Sequence, residues 1–355
     1  MKLNARFFSF ALALCALLAP ASVQQQTVRP LDDLAPKTDG KNALTRQLHT
    51  VTLITADLDP VLRFYRDALG LTVRGPSAVD DKTRRIQREL WGIPGDVNWQ
   101  LYLLGRPNVP ATVQIRLLVV DRRTSQIKTD WVRKQPGPYA MGFPALELEN
   151  WDQEIRAKGY QSTPPEMMNY PITRKDGSSY TMHETIFNAP DFVQAVTLSR
   201  RSGMPQMGPV DPQTGRGGPL YSTQIVRDSE KVLDFYTSVL GMELRSDREW
   251  GSGENAYRFS IVFAEGASYG HLLFLDYRDN ALAGSGVAPR PPNRGLVMWS
   301  FPVRDLAEVE GRAKKAGIAI VGQAVNYESL ELGRHRALTV LAPNGFLVEL
   351  FESVK

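Results

Sequence analysis

The chain has 355 residues, 43% of them hydrophobic, which is enough to bury sizeable cores and points to about two domains. Its formal net charge is +4 with a pI near 9.1, yet no block of Lys and Arg stands out, so nucleic acid is not an expected partner. Cys15 is the only cysteine, and it lies in the N-terminal segment that reads as an export signal. Once that segment is removed, disulfides, thiolate metal sites and cysteine nucleophiles are excluded.

Residues 1–21 have the grammar of that signal. Lys2 and Arg6 precede the apolar run "FFSFALALCALLAP", and Ala19–Pro20–Ala21 offers small residues for cleavage. The run is short for a membrane span, and Leu14 stands where a lipoprotein would need a small residue before Cys15. Plain cleavage is therefore expected, with no stable membrane anchor and a periplasmic or secreted product. Losing Lys2 and Arg6 takes the net charge from +4 to +2. Residues 22–46 read as an irregular leader.

The body of the chain repeats itself. "RFYRDALGLTV" (Arg63–Val73) and "DFYTSVLGMEL" (Asp234–Leu244) align without gaps at a constant offset of 171, which pairs Asp57 with Asp228, Phe64 with Phe235, Tyr65 with Tyr236 and Gly70 with Gly241. In each copy a short alternating strand ("TVTLIT", "STQIV") runs into an Asp. A helix with apolar residues at helical spacing follows, then a Gly stop and a new strand. The spacing assigns Phe64, Tyr65, Phe235 and Tyr236 to helix-on-sheet packing. Each half holds a second strand–helix–Gly unit, Phe143–Gln161 and Met298–Ile318, closed by "APDFVQAVTLS" and "APNGFLVELFE". The Gly/Pro-rich residues 201–219 read as a linker between bodies at 47–200 and 220–355, and Asn280–Gly295 as a loop.

This plan is four βαβββ modules paired into two α+β domains. It resembles the vicinal oxygen chelate (VOC) superfamily of glyoxalases, bleomycin-resistance proteins and extradiol dioxygenases, through "FYRDALGL", "FYTSVLGM" and the closing "APNGFLVELFE". The resemblance covers about Leu48–Ser199 and Leu220–Ser353. It implies curved mixed sheets forming cups, with a ligand bound inside and, in most of the enzymes, a divalent metal held by the first and last strands of the modules.

The ligand slots implied by the resemblance fall on Thr50, Tyr221, Phe143, Met298, Val196 and Glu349, with Arg116 and Phe274 as the best matches for the remaining two. Only Glu349 is a suitable donor for a divalent ion. His49 is one residue out of register, which turns it away from the cup by strand alternation. No metal cofactor is expected on this basis. The alternative is Fe, Zn, Mn or Ni at His49 and Glu349.

The same register lines the cups with Thr50, Thr52, Ile54, Phe143, Ala145, Glu147, Tyr221, Thr223, Ile225, Met298, Ser300 and Glu349. That mixed surface suits a small, partly apolar or aromatic metabolite. Glu349, if desolvated, would have a raised pKa and act as a general acid or base, with Tyr221 polarising a carbonyl or sharing its proton. The structural alternative pairs Glu349 with Arg334 or Arg336. The expected protein is thus a metal-free small-molecule binder, monomeric or homodimeric, with its working cup in the second half. A lyase, isomerase or dioxygenase is the alternative.

Overall fold

The computed structural model of the protein describes residues 34–109, 112–131, 134–173, 177–201, 207–253, 256–277, 286–329 and 331–354. Residues 1–21, read as an export signal, and the start of the stretch read as a leader lie outside them. Four modules follow one another. The first comprises β1 (Thr50–Thr55), α1 (Leu58–Leu62, continued by a wider turn over Arg63–Ala68), β2 (Thr72–Arg74), α2 (Asp81–Trp91), β3 (Trp99–Gly105) and β4 (Gln114–Val120). The second has β5 (Gly137–Pro144), α3 (Leu148–Ala157), β6 (Met168–Thr173), β7 (Ser179–Asn188) and β8 (Gln194–Arg200). The third has β9 (Tyr221–Val226), α4 (Ser229–Asp234, continued over Phe235–Val239), β10 (Glu243–Trp250), β11 (Tyr257–Phe263) and β12 (His271–Asp276). The fourth has β13 (Gly295–Pro302), α5 (Leu306–Lys315), β14 (Ala319–Ser329), β15 (Gly333–Leu341) and β16 (Leu347–Ser353).

The repeated phrase builds the same local structure twice. The carboxylates of Asp57 and Asp228 cap α1 and α4 by accepting backbone N–H groups of Asp59 and Lys231. Both helices then widen to a π turn, in which the N–H of Leu69 reaches the carbonyl of Phe64 and that of Leu240 the carbonyl of Phe235. Gly70 and Gly241 end them at positive φ. Phe64, Tyr65, Phe235 and Tyr236 are buried in a core shared by the helices and one face of both sheets. The hydroxyls of Tyr65 and Tyr236 have no hydrogen-bond partner among the described residues. Tyr65→Phe and Tyr236→Phe are therefore expected to match or exceed the wild-type Tm, since each removes a buried unsatisfied group without opening a cavity. A fall of several degrees in thermal unfolding would show that the hydroxyls are needed.

The sheets join modules across the halves. One eight-stranded sheet runs β14–β15–β16–β13–β1–β4–β3–β2 and the other β10–β11–β12–β9–β5–β8–β7–β6. The first module thus meets the fourth, through β1 antiparallel to β13, and the second meets the third, through β5 antiparallel to β9. The pairing within halves expected from the sequence is replaced by this crossed one. Away from the shared core, each sheet lines a cup of its own.

The first cup is filled by α2, an element the sequence reading passed over. Asp80 caps it by accepting the N–H of Thr83, and Gly92 in the left-handed region ends it. Leu90 and Trp91 sit among Ile54, Leu118, Met298, Tyr327 and Phe351. Gly322 of β14 lets the helix approach, because a Cβ there would lie 2.4 Å from the Leu90 backbone. Among the described residues of the third module no α-helix stands between β10 and β11. Among the described residues no helix is long and apolar enough to cross a membrane.

Candidate functional site

The four strands at the centre of the first sheet converge on a guanidinium. Arg116 on β4 is fully buried, and its Nη2 donates to Glu349 Oε2 on β16 at 2.8 Å. Its Nε donates to Glu331 Oε1 at 2.8 Å, and Nη1 lies 3.3 Å from Thr52 Oγ1 on β1 and 3.4 Å from Ser300 Oγ on β13. Glu349 also accepts from Ser300 Oγ (2.6 Å), Trp91 Nε1 (2.7 Å) and Tyr327 Oη (3.4 Å). The Trp91 ring closes the site from α2, 4.6 Å from the guanidinium carbon.

This geometry corrects the role expected of Glu349. Burial alone would raise its pKa. The charge of Arg116 and the hydrogen bonds from Ser300, Trp91 and Arg116 outweigh burial and hold the carboxyl below the usual range. Glu349 is an ionised partner of Arg116, not a poised acid, and its partner is neither Arg334 nor Arg336. Its cup is also sealed, since Thr52, Arg116, Ser300 and Glu349 are each 0% exposed. The working cup expected around Glu349 is a closed core.

The other assigned residues scatter. Thr50 and Met298 face the first cup near this network. His49 lies on the cup side after all, edge-on to Phe351 with ring centroids 5.4 Å apart, and its Nδ1 is 2.7 Å from Thr50 Oγ1. Burial and then Arg116 lower its pKa and keep it neutral. Phe143 and Ala145 belong to the shared helix core, because Gly142 is the β5 residue that faces β9 at Tyr221. Glu147 is exposed at the N-terminus of α3. Phe274 points into the helix core as well, and Leu273 takes the cup position beside Thr223. Tyr221 and Thr223 line the other cup. Tyr221 and Glu349 therefore stand in different sheets and share no proton.

The point where the strands of the first cup meet carries the guanidinium of Arg116, which engages two hydroxyls and two carboxylates, with His49 and His335 close enough to feel their charge. Among the described residues no three His, Cys, Asp or Glu side chains gather to hold a metal.

The second cup has a different floor. Its floor positions are Thr223, Leu273, Gly142 and Val196, matched by strand register to Thr52, Arg116, Ser300 and Glu349. Around them stand Tyr139, Tyr180, Tyr221, Tyr277, Phe263 and Met182, with Tyr170, Tyr257 and Phe259 partly buried at the rim. Tyr170 Oη donates to Glu184 Oε2 at 2.9 Å, and burial, then the Glu184 charge, raise the pKa of Tyr170, with Tyr221 and Tyr257 acting in the same direction. His271 is stacked between Tyr221 (5.1 Å) and Phe263 (4.4 Å). Burial, with Arg200 and Arg245 nearby, drives its pKa down to about 3. This floor is buried but less completely than the first: Leu273 is 9% exposed, Val196 5% and Thr223 4%.

Residues 219–350 match the sequence model of the Glyoxalase/Bleomycin resistance protein/Dioxygenase superfamily. No curated protein sequence is detectably similar to the chain. Among solved structures, glyoxalase I from Zea mays is similar over 88% of this chain and 94% of its own, with a TM-score of 0.56 and 17% identity. A putative dioxygenase from Bacillus subtilis subsp. subtilis str. 168 is similar over 88% and 87%, with a TM-score of 0.54 and 14% identity. Residues 219–350 thus carry the sequence of the glyoxalase/bleomycin-resistance/dioxygenase, or vicinal oxygen chelate, superfamily, and the chain as a whole shares the tandem fold of these solved structures.

Proposed function

We propose that the protein is exported and binds a small, partly apolar or aromatic metabolite in the cup of the second sheet, without a divalent metal. The observation that supports this reading is the contrast between the floors: Leu273, Val196 and Thr223 are apolar or neutral and keep a little exposure, whereas Thr52, Arg116, Ser300 and Glu349 of the first cup are charged or hydrogen-bonded and fully buried. An apolar floor walled by tyrosines, with Glu184 at the rim, supplies aromatic contact area and a few hydrogen-bonding groups. Export rests on the signal-like residues 1–21.

Ligand-observed NMR with a panel of small aromatic acids, phenols and amides tests the site. Binding is expected to disappear in Leu273→Trp, which fills the floor, and to persist in Met298→Leu in the other cup. The reverse pattern, or no hit across the panel, would defeat the assignment. Elemental analysis of the purified protein is expected to find no stoichiometric divalent metal. One ion per chain, lost in Glu349→Gln, would overturn the metal-free reading.

A further inference from the structure

Each sheet is two modules meeting along one antiparallel seam, and the two seams correspond residue for residue. Thr50 faces Ser300 as Tyr221 faces Gly142, and Thr52 faces Met298 as Thr223 faces Ala140. The isolated bridges beyond them correspond too: Thr45 with Val303, and Arg216 with Ala145. Nothing in the backbone of these seams distinguishes one partner module from another. The floor residues do. The first module brings a buried cation, Arg116, and the fourth brings the buried anions Glu349 and Glu331. The third brings Leu273 and the second Val196.

We infer that this floor is the interface that selects module partners, with Arg116 as the recognition element that commits the first module to the fourth. In the observed pairing charge meets charge and apolar meets apolar. Pairing within halves would set Arg116 over Val196 and Gly142, and Glu349 over Leu273 and Thr223. Both sheets would then bury an uncompensated charge, one of the largest single penalties a core can carry. The buried ion pair thus acts less as a source of stability than as a specification against the alternative topology. The partner chemistry is explicit: a βαβββ unit whose closing strand carries an inward carboxylate at the position of Glu349.

The bridge positions give direct reporters, since residues opposed across an antiparallel bridge lie within disulfide reach. In a Cys15→Ser background, Thr45→Cys with Val303→Cys reports the observed pairing, and Arg216→Cys with Val303→Cys reports pairing of the third module with the fourth. The full chain is unfolded in denaturant, refolded, oxidised and mapped by mass spectrometry. With the natural floor the first link is expected to exceed the second by about 150- to 4,000-fold, the ratio an unpaired buried charge imposes. Moving the cation, by Arg116→Leu with Leu273→Arg, is expected to make the second link dominant. Should that variant fail to refold, a neutral floor (Arg116→Leu, Glu331→Gln, Glu349→Val) is expected to give both links in comparable amounts. Exclusive formation of the first link in either variant would overturn the inference. So would a neutral floor that cannot refold, because the charges would then sustain the fold and not choose its pairing.

Discussion

Arg116→Met is expected to be the most destabilising single substitution in the first cup, lowering the free energy of unfolding by about 3–5 kcal/mol. The loss does not measure the worth of the ion pair. It reflects Glu349 and Glu331, whose side chains are wholly buried, being left without their counter-charge. The comparison that separates the two is Arg116→Met combined with Glu331→Gln and Glu349→Leu, which makes the floor apolar. That triple variant is expected to recover most of the stability, because a buried ion pair and a well-packed apolar replacement are often close in energy. Urea unfolding of the three proteins checks this, and an Arg116→Met protein as stable as wild type would show that the carboxylates find water or protons instead. Trp91 adds a second readout. Its indole donates to Glu349 while its ring faces the guanidinium, so release of the network should change its fluorescence along with the stability.

The fold was legible because duplication wrote it twice. The shared offset, the capping Asp residues and the terminating glycines of α1 and α4 specify local structure through backbone chemistry, and all of these features recur in the structure. The alternation of β1 and β9 placed Thr50, Thr52, Tyr221 and Thr223 on the cup faces correctly. It failed on β5, where Phe143 was aligned with Met298. The Phe-Pro pairs Phe143–Pro144 and Phe301–Pro302 were the better anchor, since they assign Phe143 to the helix face with Phe301. Arg116 also left a signal. It is a lone charge inside "QIRLLVV", as Glu349 is inside "LVELF", and two opposite charges each flanked by apolar residues in a strand call for one another. Module pairing was not legible from local pattern, because the two seams offer the same backbone geometry and differ only at side chains far apart in the chain. Nor was the plug. Helix α2 announces itself through Asp80 and Gly92, but which cup it fills depends on the pairing.

Acidification is expected to weaken the protein through the second cup well before its carboxylates titrate. Unfolded, His271 would take up a proton near pH 6.5. Folded, it is held neutral down to about pH 3, because it is buried between Tyr221 and Phe263 with the positive charges of Arg200 and Arg245 nearby. A histidine whose folded pKa is depressed contributes its full stability above the unfolded value, and that contribution falls as pH drops below 6.5. The slope is about 1.4 kcal/mol per pH unit for one proton, or about 2 kcal/mol lost by pH 5. His49 and His335, whose pKa values burial also lowers, act in the same direction. Asp191 opposes them weakly, since burial raises its pKa and protonation in acid favours the folded form. His271→Leu isolates the main contribution. Neither ring nitrogen has a hydrogen-bond partner among the described residues, so the substitution removes no bond seen there, and leucine is close in size. The variant is expected to equal or exceed wild type at pH 7.5 and to lose about one proton's worth of slope between pH 6 and 4 in denaturant titrations. Parallel curves for the two proteins would mean that His271 already takes up its proton in the folded cup, which would make the second cup wetter and more polar at its base than the packing around Tyr221 and Phe263 allows.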